Sequence, residues 1–463
     1  MSSPTNTDRP RAAALYESAK KIYPREIKGR FESLSKLATN VLLGLFYLIP
    51  WAMWDERQAI LFDLPARKFH LLGLTLWPQD FIYLALLLMI AALSLFFFTA
   101  LAGRLWCGFA CPQTVWTEAF IWMEQITEGT RSQRIKLDKA PWSWNKLRRK
   151  GAKQFLWITF SLWTGFTFVG YFMPIRDLGA EIVAFNVGGW TLFWGCFYGF
   201  ATYGNAGYMR EQVCKYMCPY ARFQSAMFDK DTLIISYDEK RGEPRGGRKR
   251  SVDRKQEGLG DCIDCTLCVQ VCPTGIDIRD GLQYECIACA ACIDACDSVM
   301  DKMDYPRGLV RYTTEHALKG ETTRVLRPRM FVYAAVLVIL TVALMTSMIT
   351  RTPVILDVIR DRNTLYRELP GDMIENSYTV KIINQSNDAR KFRMAVDGVT
   401  GLTLDGVDDE IAVDGGGVLS VPVRARTQRD NAYGIMNITF SVTALDDESI
   451  VMIEDSRFLG PTP

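Results

Sequence analysis

The sequence has few histidines, little net charge and no cysteine in its last third. His70 and His316 are the only histidines among 463 residues, which argues against a multi-haem protein or a His-rich metal site, and we interpret both as structural. Lys and Arg total 54 against 51 Asp and Glu, so the net charge of +3 excludes a generally basic nucleic-acid-binding protein. Thirteen cysteines are too sparse for a disulfide scaffold of this length, and all lie between residues 107 and 296.

Apolar residues are concentrated in five stretches that contain no Asp, Glu, Lys or Arg. Each is close to the length that a membrane-spanning helix needs, and core helices of a soluble protein rarely lack charge on every face. The sequence therefore predicts transmembrane helices over residues 37–54, 81–102, 155–173, 182–203 and 330–350. The first 36 residues are polar and charged, and no cleavage site follows the first apolar stretch, so we expect no cleavable signal peptide.

Lys and Arg are distributed unequally between the connecting segments. The arm at residues 1–36, the loop after the second helix and the long segment 204–329 are rich in both, whereas residues 55–80 contain only three. Because positively charged segments stay on the cytoplasmic side, this pattern predicts a cytoplasmic N-terminus and a periplasmic tail in a Gram-negative cell. We interpret the basic loop 240–255 as a linker near anionic lipid, with a nucleic-acid patch as the weaker alternative.

The tail after the fifth apolar stretch alternates between apolar and polar residues. Several short strands at this spacing predict a β-sandwich of immunoglobulin type, in this case without a disulfide. The predicted strands are residues 377–383, 391–396, 418–425, 435–444 and 449–454. We see no catalytic constellation in this domain, so an inert stabilising domain and a docking module both remain open.

Eight cysteines form two runs with the spacing of a bacterial ferredoxin. In each run, three thiolates at two-residue gaps hold one cluster and the fourth reaches the neighbouring cluster. Disulfides are disfavoured in the cytoplasm, and zinc has no use for a doubled pattern. The runs therefore predict two [4Fe–4S] clusters. Cluster one takes Cys262, Cys265, Cys268 and Cys296, and cluster two takes Cys286, Cys289, Cys292 and Cys272.

Four further cysteines form two Cys-x3-Cys-Pro motifs, each following a pair of predicted helices. Residues 37–120 and 155–228 thus look like two copies of one unit, which would bring four thiols together beneath the bilayer. Soft thiolates select Cu(I), zinc or iron–sulfur clusters, and they can also cycle between dithiol and disulfide. The alternative is simple packing, as we expect for Cys196. The motif cysteines are Cys107, Cys111, Cys214 and Cys218.

Together these features resemble the CcoG family, also called FixG or RdxA, and more distantly the membrane ferredoxins of the NapH type. The resemblance rests on CGFACPQTVW, REQVCKYMCPYARFQSAMFDKDTLIISYD, RGEPRG, GDCIDC, VCPTGIDIRDGLQYEC and the sandwich tail. It implies a bacterial inner-membrane accessory protein for assembly of cbb3-type cytochrome oxidase, with two [4Fe–4S] clusters and with Cu(II) reduction as its activity. It also makes the four motif cysteines candidate copper-site and catalytic residues.

These observations predict a multi-domain membrane protein with a five-helix α transmembrane bundle, a ferredoxin module and an immunoglobulin-like β-sandwich, and the resemblance implies that it is a metalloreductase. The parts are a cytoplasmic arm at 1–36, four membrane helices with both motifs at 37–228, a linker and ferredoxin module at 229–329, a fifth helix at 330–350 and a periplasmic domain at 351–463. The expected partners are the membrane, an unknown cytoplasmic electron donor, a copper chaperone or exporter, oxidase assembly factors and a second copy of the chain. The alternatives are a quinone-linked electron carrier, a non-redox assembly scaffold, or copper storage or transport without redox chemistry.

Overall fold

The structure is a computed structural model that describes residues 21–250, 257–386 and 388–462. Most of the predicted cytoplasmic arm, up to residue 20, lies outside the described residues, as do residues 251–256 of the basic loop. The chain divides into two compact units, which meet in sequence between Thr341 and Val342. Each unit is described separately below.

Helices dominate the first unit. In chain order they are α1 (Arg30–Leu48), α2 (Phe81–Ala102), α3 (Leu105–Phe109), α4 (Pro112–Glu128), α5 (Arg131–Lys139), α6 (Trp144–Val169), α7 (Ile175–Val183), α8 (Gly189–Thr202), α9 (Pro219–Met227), α10 (Glu239–Gly242), α11 (Leu267–Gln270), α12 (Ala291–Met303), α13 (Glu315–Lys319) and α14 (Pro328–Ile349), the last of which crosses the boundary between the units. Two π-helical segments, Tyr203–Met209 and Val213–Met217, separate α8 from α9.

Three helical segments among the described residues are long and apolar enough to cross a membrane: Arg30–Trp51, Phe81–Ala102 and Pro328–Ile349. The other two predicted spans need correction. The predicted span 155–173 is instead the second part of a longer helix, α6 (Trp144–Val169). The first three turns of α6 are largely polar and carry Lys and Arg, so the apolar sequence did not mark them. The prediction of one continuous helix over 182–203 is wrong. Residues 184–188 are not helical, and α8 has only 14 residues before the π-helical segment.

Helices α6 and α8 pack closely through small residues. A Cβ atom built on Gly165 would lie 2.1 Å from the carbonyl oxygen of Gly195, and one on Gly199 would lie 3.2 Å from that of Ser161. Gly195 and Gly199 form a Gly-x3-Gly pair, and such pairs let membrane helices approach without side chains between them.

The helix ends that meet the ferredoxin module lie on one side of the first unit. The Asp294 carboxylate of α12 accepts the backbone N–H of Glu32 at 2.8 Å and so caps the first turn of α1. The Thr232 hydroxyl donates to the carbonyl of Ala100, near the end of α2, at 3.0 Å. Arg329, at the start of α14, donates to the carbonyl of Met227 at 3.0 Å.

Short strands complete the first unit. They are β1 (Met53–Trp54), β2 (Arg57–Gln58), β3 (Ile60–Asp63), β4 (Lys68–Leu71), β5 (Leu74–Leu76), β6 (Ile234–Tyr237) and β7 (Val310–Thr313). β3, β4 and β5 form an antiparallel sheet, and β6 pairs with β7 beside the cysteine runs. The Gln58 amide donates to the carbonyl of Gly170 at 2.7 Å, which places the β1–β5 segment at the far end of α6.

The second unit is formed by two antiparallel sheets around one apolar core. Its strands are β8 (Val354–Arg360), β9 (Arg367–Leu369), β10 (Met373–Asn384), β11 (Arg390–Asp397), β12 (Thr403–Asp405), β13 (Ile411–Val413), β14 (Val418–Gln428), β15 (Ile435–Ala444) and β16 (Val451–Leu459). One sheet has the order β12-β14-β10-β8, with β9 beside β10, and the other has the order β13-β11-β15-β16. Phe392, Phe440 and Phe458 are fully buried between them. All five predicted strands overlap observed ones, whereas β8, β9, β12 and β13 were missed.

Candidate metal centres

The two ferredoxin-type cysteine runs share an unusual backbone conformation. Asp264 and Thr266 have φ angles of 51° and 56°, and Ala288 and Ala290 have φ angles of 56° and 63°. These residues occupy the same positions, two and four after the first cysteine of each run. Non-glycine residues adopt the left-handed region at a cost, and such strain clusters at functional sites. Both runs are therefore folded as the same tight loop.

Two separate cavities divide the eight cysteines into sets of four. The first is lined by Cys262, Cys265, Cys268 and Cys296. The second is lined by Cys272, Cys286, Cys289 and Cys292, with Cys268 at its edge. Each cavity thus receives the last cysteine of the other run, because α12 continues from the second cavity to the first. These are the two sets that the sequence predicts.

Several thiols in the two cavities have raised pKa values, so their ionisation is unfavourable without a bound metal. Burial raises the pKa of Cys268 to about 11, and burial together with the neighbouring thiols of Cys268 and Cys262 raises that of Cys296 to about 12. Burial also raises the pKa of Cys289 and Cys292. A cationic iron–sulfur core would supply the missing positive charge, since metal ligation stabilises the thiolate form. The residues present therefore fit two [4Fe–4S] clusters.

The two Cys-x3-Cys-Pro motifs have a common structural logic. Cys111 and Cys218 each occupy the position before the first residue of a helix, α4 and α9, and Pro112 and Pro219 are those first residues. Proline suits this position because its missing N–H needs no partner there. The second cysteine of each motif therefore sits at a helix N-terminus, beside backbone N–H groups that have no partner within the helix.

The structure brings the four motif cysteines close enough to influence one another. Burial, together with the Cys111 and Cys218 thiols, raises the pKa of Cys107 to about 11, although Gln224 and Arg104 act in the opposite direction. Burial raises the pKa of Cys214 to about 12, again with contributions from the other three thiols. Burial also raises the pKa of Cys111, against the N–H groups of Thr114 and Gln113.

No group of three His, Cys, Asp or Glu side chains in the described part of the chain is arranged to hold one metal ion. The four motif thiols are therefore neighbours but do not form a closed site for a single ion. Gln224, which is completely buried, holds Cys107 through a hydrogen bond from its amide Nε2 to the Cys107 Sγ at 3.4 Å. This bond fixes one thiol of the first motif against α9, the helix that follows the second motif.

The first motif also lies directly against the second cavity. A Cβ atom built on Gly108 would lie 2.8 Å from the carbonyl oxygen of Ala288 and 2.9 Å from the Cα of Cys289. Arg104, which is buried, donates to the carbonyls of Cys286 at 3.3 Å and Ala221 at 2.8 Å. The second cavity is therefore adjacent to the motif thiols.

Sequence reasoning did not identify Arg104, Gly108 or Gln224. Arg104 and Gly108 flank the first cysteine of the motif, and their proximity was the only signal available. Gln224 gave none, because its partner is 117 positions away. Cys196 lies within the fourth predicted helix and was expected to have a packing role, but its side chain is exposed on α8. His316 bonds Asp231 at 2.7 Å through Nδ1, and His70 bonds Arg57, in agreement with structural roles.

Three family profiles match the chain. A 4Fe-4S dicluster domain matches residues 209–315, and a 4Fe-4S binding domain matches residues 84–128. The Ig-like fold found at the C-terminus of FixG matches residues 344–461. The profiles support iron–sulfur clusters in the first unit and confirm the immunoglobulin-like interpretation of the second.

Whole-chain relatives extend these matches. The nitrogen fixation protein FixG of Rhizobium meliloti is 38% identical over 84% of this chain and 82% of its own length. Protein RdxA of Cereibacter sphaeroides is 38% identical over 96% of this chain and 94% of its own length. A crystal structure of a FixG-related protein from Vibrio parahaemolyticus is 32% identical, covers 24% of this chain and 98% of that chain, and has a TM-score of 0.22.

Proposed function

This chain belongs to the FixG and RdxA family, and on that premise we propose that it is a membrane metalloreductase that converts Cu(II) to Cu(I). Membership of this family and the 4Fe-4S domains already indicate that the chain is an iron–sulfur redox protein. The reduced copper would serve the assembly of cbb3-type cytochrome oxidase, as the sequence resemblance implies. Its recipients would be a copper chaperone or exporter of that route.

The proposed ligands are the cysteines of the two cavities and of the two motifs. Cys262, Cys265, Cys268 and Cys296 would hold cluster one, and Cys286, Cys289, Cys292 and Cys272 would hold cluster two. Bound clusters supply storage of single electrons, which is what conversion of Cu(II) to Cu(I) requires. Copper itself is the substrate, and its soft reduced form suits Cys107, Cys111, Cys214 and Cys218.

The observation that carries the proposal is the contact between Gly108 and Cys289. It puts the backbone of the copper-motif loop against a proposed cluster ligand, with no side chain between them. Each motif also presents its second cysteine, Cys111 or Cys218, at the start of a helix. The Gln224 amide donates to the Cys107 sulfur at 3.4 Å and so restrains its position.

We place the protein in the bacterial inner membrane with five spans. Three spans meet the length and apolarity of a membrane helix, and the close contact of α6 with α8 supports two more. The Lys and Arg distribution favours a cytoplasmic ferredoxin module and a periplasmic immunoglobulin-like domain. The electron donor would then be cytoplasmic or within the membrane. A homodimer is compatible with this arrangement.

The test is anaerobic reduction of Cu(II) by the purified, dithionite-reduced and desalted protein, with a Cu(I)-specific chelator as reporter. The Cys107→Ser/Cys214→Ser double variant should lose reduction while keeping its iron. Cys196→Ser, which changes an exposed cysteine outside both motifs, is the matched control and should behave as wild type. Equal rates in the double variant and wild type would show that copper reduction does not use these thiols.

A second candidate for the four motif thiols is a third iron–sulfur cluster. The 4Fe-4S binding profile covers residues 84–128 and so includes Cys107 and Cys111, and the thiols are not arranged for a single ion. Iron analysis separates the candidates. The copper-site proposal expects about eight irons per chain in wild type and in the double variant, whereas a third cluster expects about twelve, falling by about four in the variant.

A further inference from the structure

A cavity of about 550 Å³ lies between the start of α1, the helix α4 and the second cysteine run. We call it the α1–α4 cavity. Its volume is in the range of sites for small organic ligands and cofactors. Its wall includes Cys214 of the second copper motif and Cys289 of the second cluster site. A molecule in this cavity would therefore contact both redox elements of the protein.

The lining of the α1–α4 cavity combines apolar side chains with polar and charged ones. Leu43, Ile121 and Phe160 contribute apolar surface. Trp122 lines the cavity and is also 57% exposed, so this apolar side chain belongs both to the cavity wall and to the outer surface of α4. Helix α1, which forms another wall of the cavity, is an apolar candidate span. The cavity therefore opens beside an apolar surface that suits a ligand with a hydrocarbon tail.

Two polar side chains in the cavity are unusual for their surroundings. Asn40 interrupts the apolar sequence of α1, and a polar residue in a membrane helix is a functional-site candidate. Glu118 of α4 accepts hydrogen bonds from the hydroxyls of Ser35 at 3.0 Å and Thr39 at 2.8 Å, both on the same carboxylate oxygen. Burial raises the pKa of Glu118 above its ordinary value, although the two hydroxyl donors oppose this, so burial favours the protonated carboxyl group more than it would at the surface.

The charges around the cavity nearly cancel, which argues against a metal cation or a phosphate as the ligand. Four carboxylates face three cationic side chains. They are Glu26, Glu32, Glu118 and Glu211 against Arg25, Lys36 and Arg210. A neutral ligand with a polar ring and an apolar tail fits this balance better than an ion does.

We propose that the α1–α4 cavity binds the headgroup of an isoprenoid quinone or quinol. Asn40 would donate to a quinone carbonyl, and Glu118 would take a proton from the quinol. Oxidation of one quinol releases two electrons and two protons; the two iron–sulfur clusters are the acceptors, one electron each, and the protons pass to Glu118 and water. The proposal rests on the proposed cluster ligands but not on copper, and it names the electron donor.

The first experiment measures binding directly. The purified full-length protein in detergent is photolabelled with an azidoquinone, and the labelled peptides are identified by mass spectrometry. We expect label within residues 34–43 or 113–125, displaced by excess unlabelled menadione. Ala119→Trp, which fills the cavity, should reduce labelling about tenfold or more. Ile126→Trp adds the same side chain to the exposed face of α4 and should label as wild type. Labelling elsewhere, or equal labelling of both variants, would overturn the proposal.

The second experiment follows the redox step. Dithionite-reduced protein is mixed anaerobically with menadione or with hexaammineruthenium(III), a soluble oxidant that needs no cavity, and cluster absorbance is recorded. Ala119→Trp should slow reoxidation by menadione about tenfold and leave reoxidation by ruthenium unchanged. Equal slowing by both oxidants would mean damaged clusters and would overturn the proposal. If the wild-type protein is labelled by the azidoquinone but does not reduce Cu(II), only the copper assignment is overturned.

Discussion

The Cα of Gly108 is so close to Cys289 that a Cβ atom added to it would lie 2.9 Å from the Cα of Cys289. The carbonyl oxygen of Ala288 would be only 2.8 Å away. Both neighbours are backbone atoms, so no flexible side chain can move aside. Glycine at this position lets the loop between Cys107 and Cys111 touch the second cysteine run. The contact joins the proposed copper thiols to the proposed cluster ligands.

Replacing Gly108 with alanine should separate these two backbones. We expect a loss of stability of about 1–3 kcal/mol, since an inserted methyl group forces a backbone shift. Copper reduction by the reduced protein should fall about tenfold, because the thiols and Cys289 move apart. Thermal unfolding in detergent and the Cu(I)-chelator assay check the two effects. Gly44→Ala is the matched control, since nothing lies within 4 Å of its added Cβ. Wild-type rates in Gly108→Ala would contradict the role of this contact.

The buried guanidinium of Arg104 should set the reduction potential of the second cluster. Arg104 bonds the carbonyl of Cys286, and its charge lowers the pKa of the Cys107, Cys214 and Cys286 thiols, against the larger effect of burial. A nearby positive charge stabilises the reduced, more negative cluster.

Arg104→Gln removes this charge and keeps one donor amide. We expect the potential of cluster two to fall by some tens of mV, roughly, while that of cluster one stays unchanged. An anaerobic redox titration monitored by electron paramagnetic resonance resolves the two clusters. A shift of both potentials by the same amount would indicate a general structural change and argue against this assignment.

The grouping of the cysteines around two cavities could be predicted, because the spacing of the cysteines is a local property of the chain. Cys262, Cys265 and Cys268 lie on one loop, and the position of Cys296 follows from the fixed geometry of α12. The αL residues beside these cysteines were not predicted, since Thr266 and Ala290 are not residues that favour that conformation. The second unit was also predictable, because the alternation of apolar and polar residues in strands such as β15 indicates which face is buried.

The remaining features depend on contacts between distant parts of the chain. The helix is interrupted before α8 at residues 184–188. The apolar composition of the surrounding segment gave no sign of this turn. The partnership of Gln224 with Cys107 and that of Glu118 with Ser35 each join segments more than 80 positions apart. Composition also marks α6 as a helix but not its polar first turns. Periodicity and spacing carry no information about such pairs.

Gly165 should be essential for the packing of α6 against α8. A larger side chain at this position would collide with the carbonyl oxygen of Gly195, which a Cβ atom would already approach to 2.1 Å. Gly165→Leu should therefore destabilise the first unit by about 2–4 kcal/mol. Limited proteolysis between α6 and α8 and thermal unfolding in detergent report the loss. Gly179→Ala, whose added Cβ meets nothing within 4 Å, should be neutral. Equal stability of both variants would argue against close packing of these helices.

The β3–β5 sheet should be more stable at neutral pH than in mild acid because of His70. Burial lowers the pKa of His70, and Arg57 and Lys68 lower it further, while Asp63 acts in the opposite direction. Arg57 donates to the Nδ1 atom of His70 at 2.8 Å, and since arginine only donates, that nitrogen must be unprotonated. Protonation of the ring would break this bond and place two positive charges together.

The sign of the effect follows from proton uptake. Above the ordinary pKa of histidine, about 6.5, neither the folded nor the opened segment binds the proton and stability is complete. As the pH falls below this value, only the opened segment binds it, and stability decreases toward the lower folded-state pKa. Hydrogen exchange of residues 57–76, corrected for intrinsic rates, should therefore show less protection at about pH 5.5 than at about pH 7.5. His70→Asn keeps an acceptor for Arg57 but does not titrate, so its protection should be equal at the two pH values. If the variant keeps the wild-type difference, the pH dependence arises from another group.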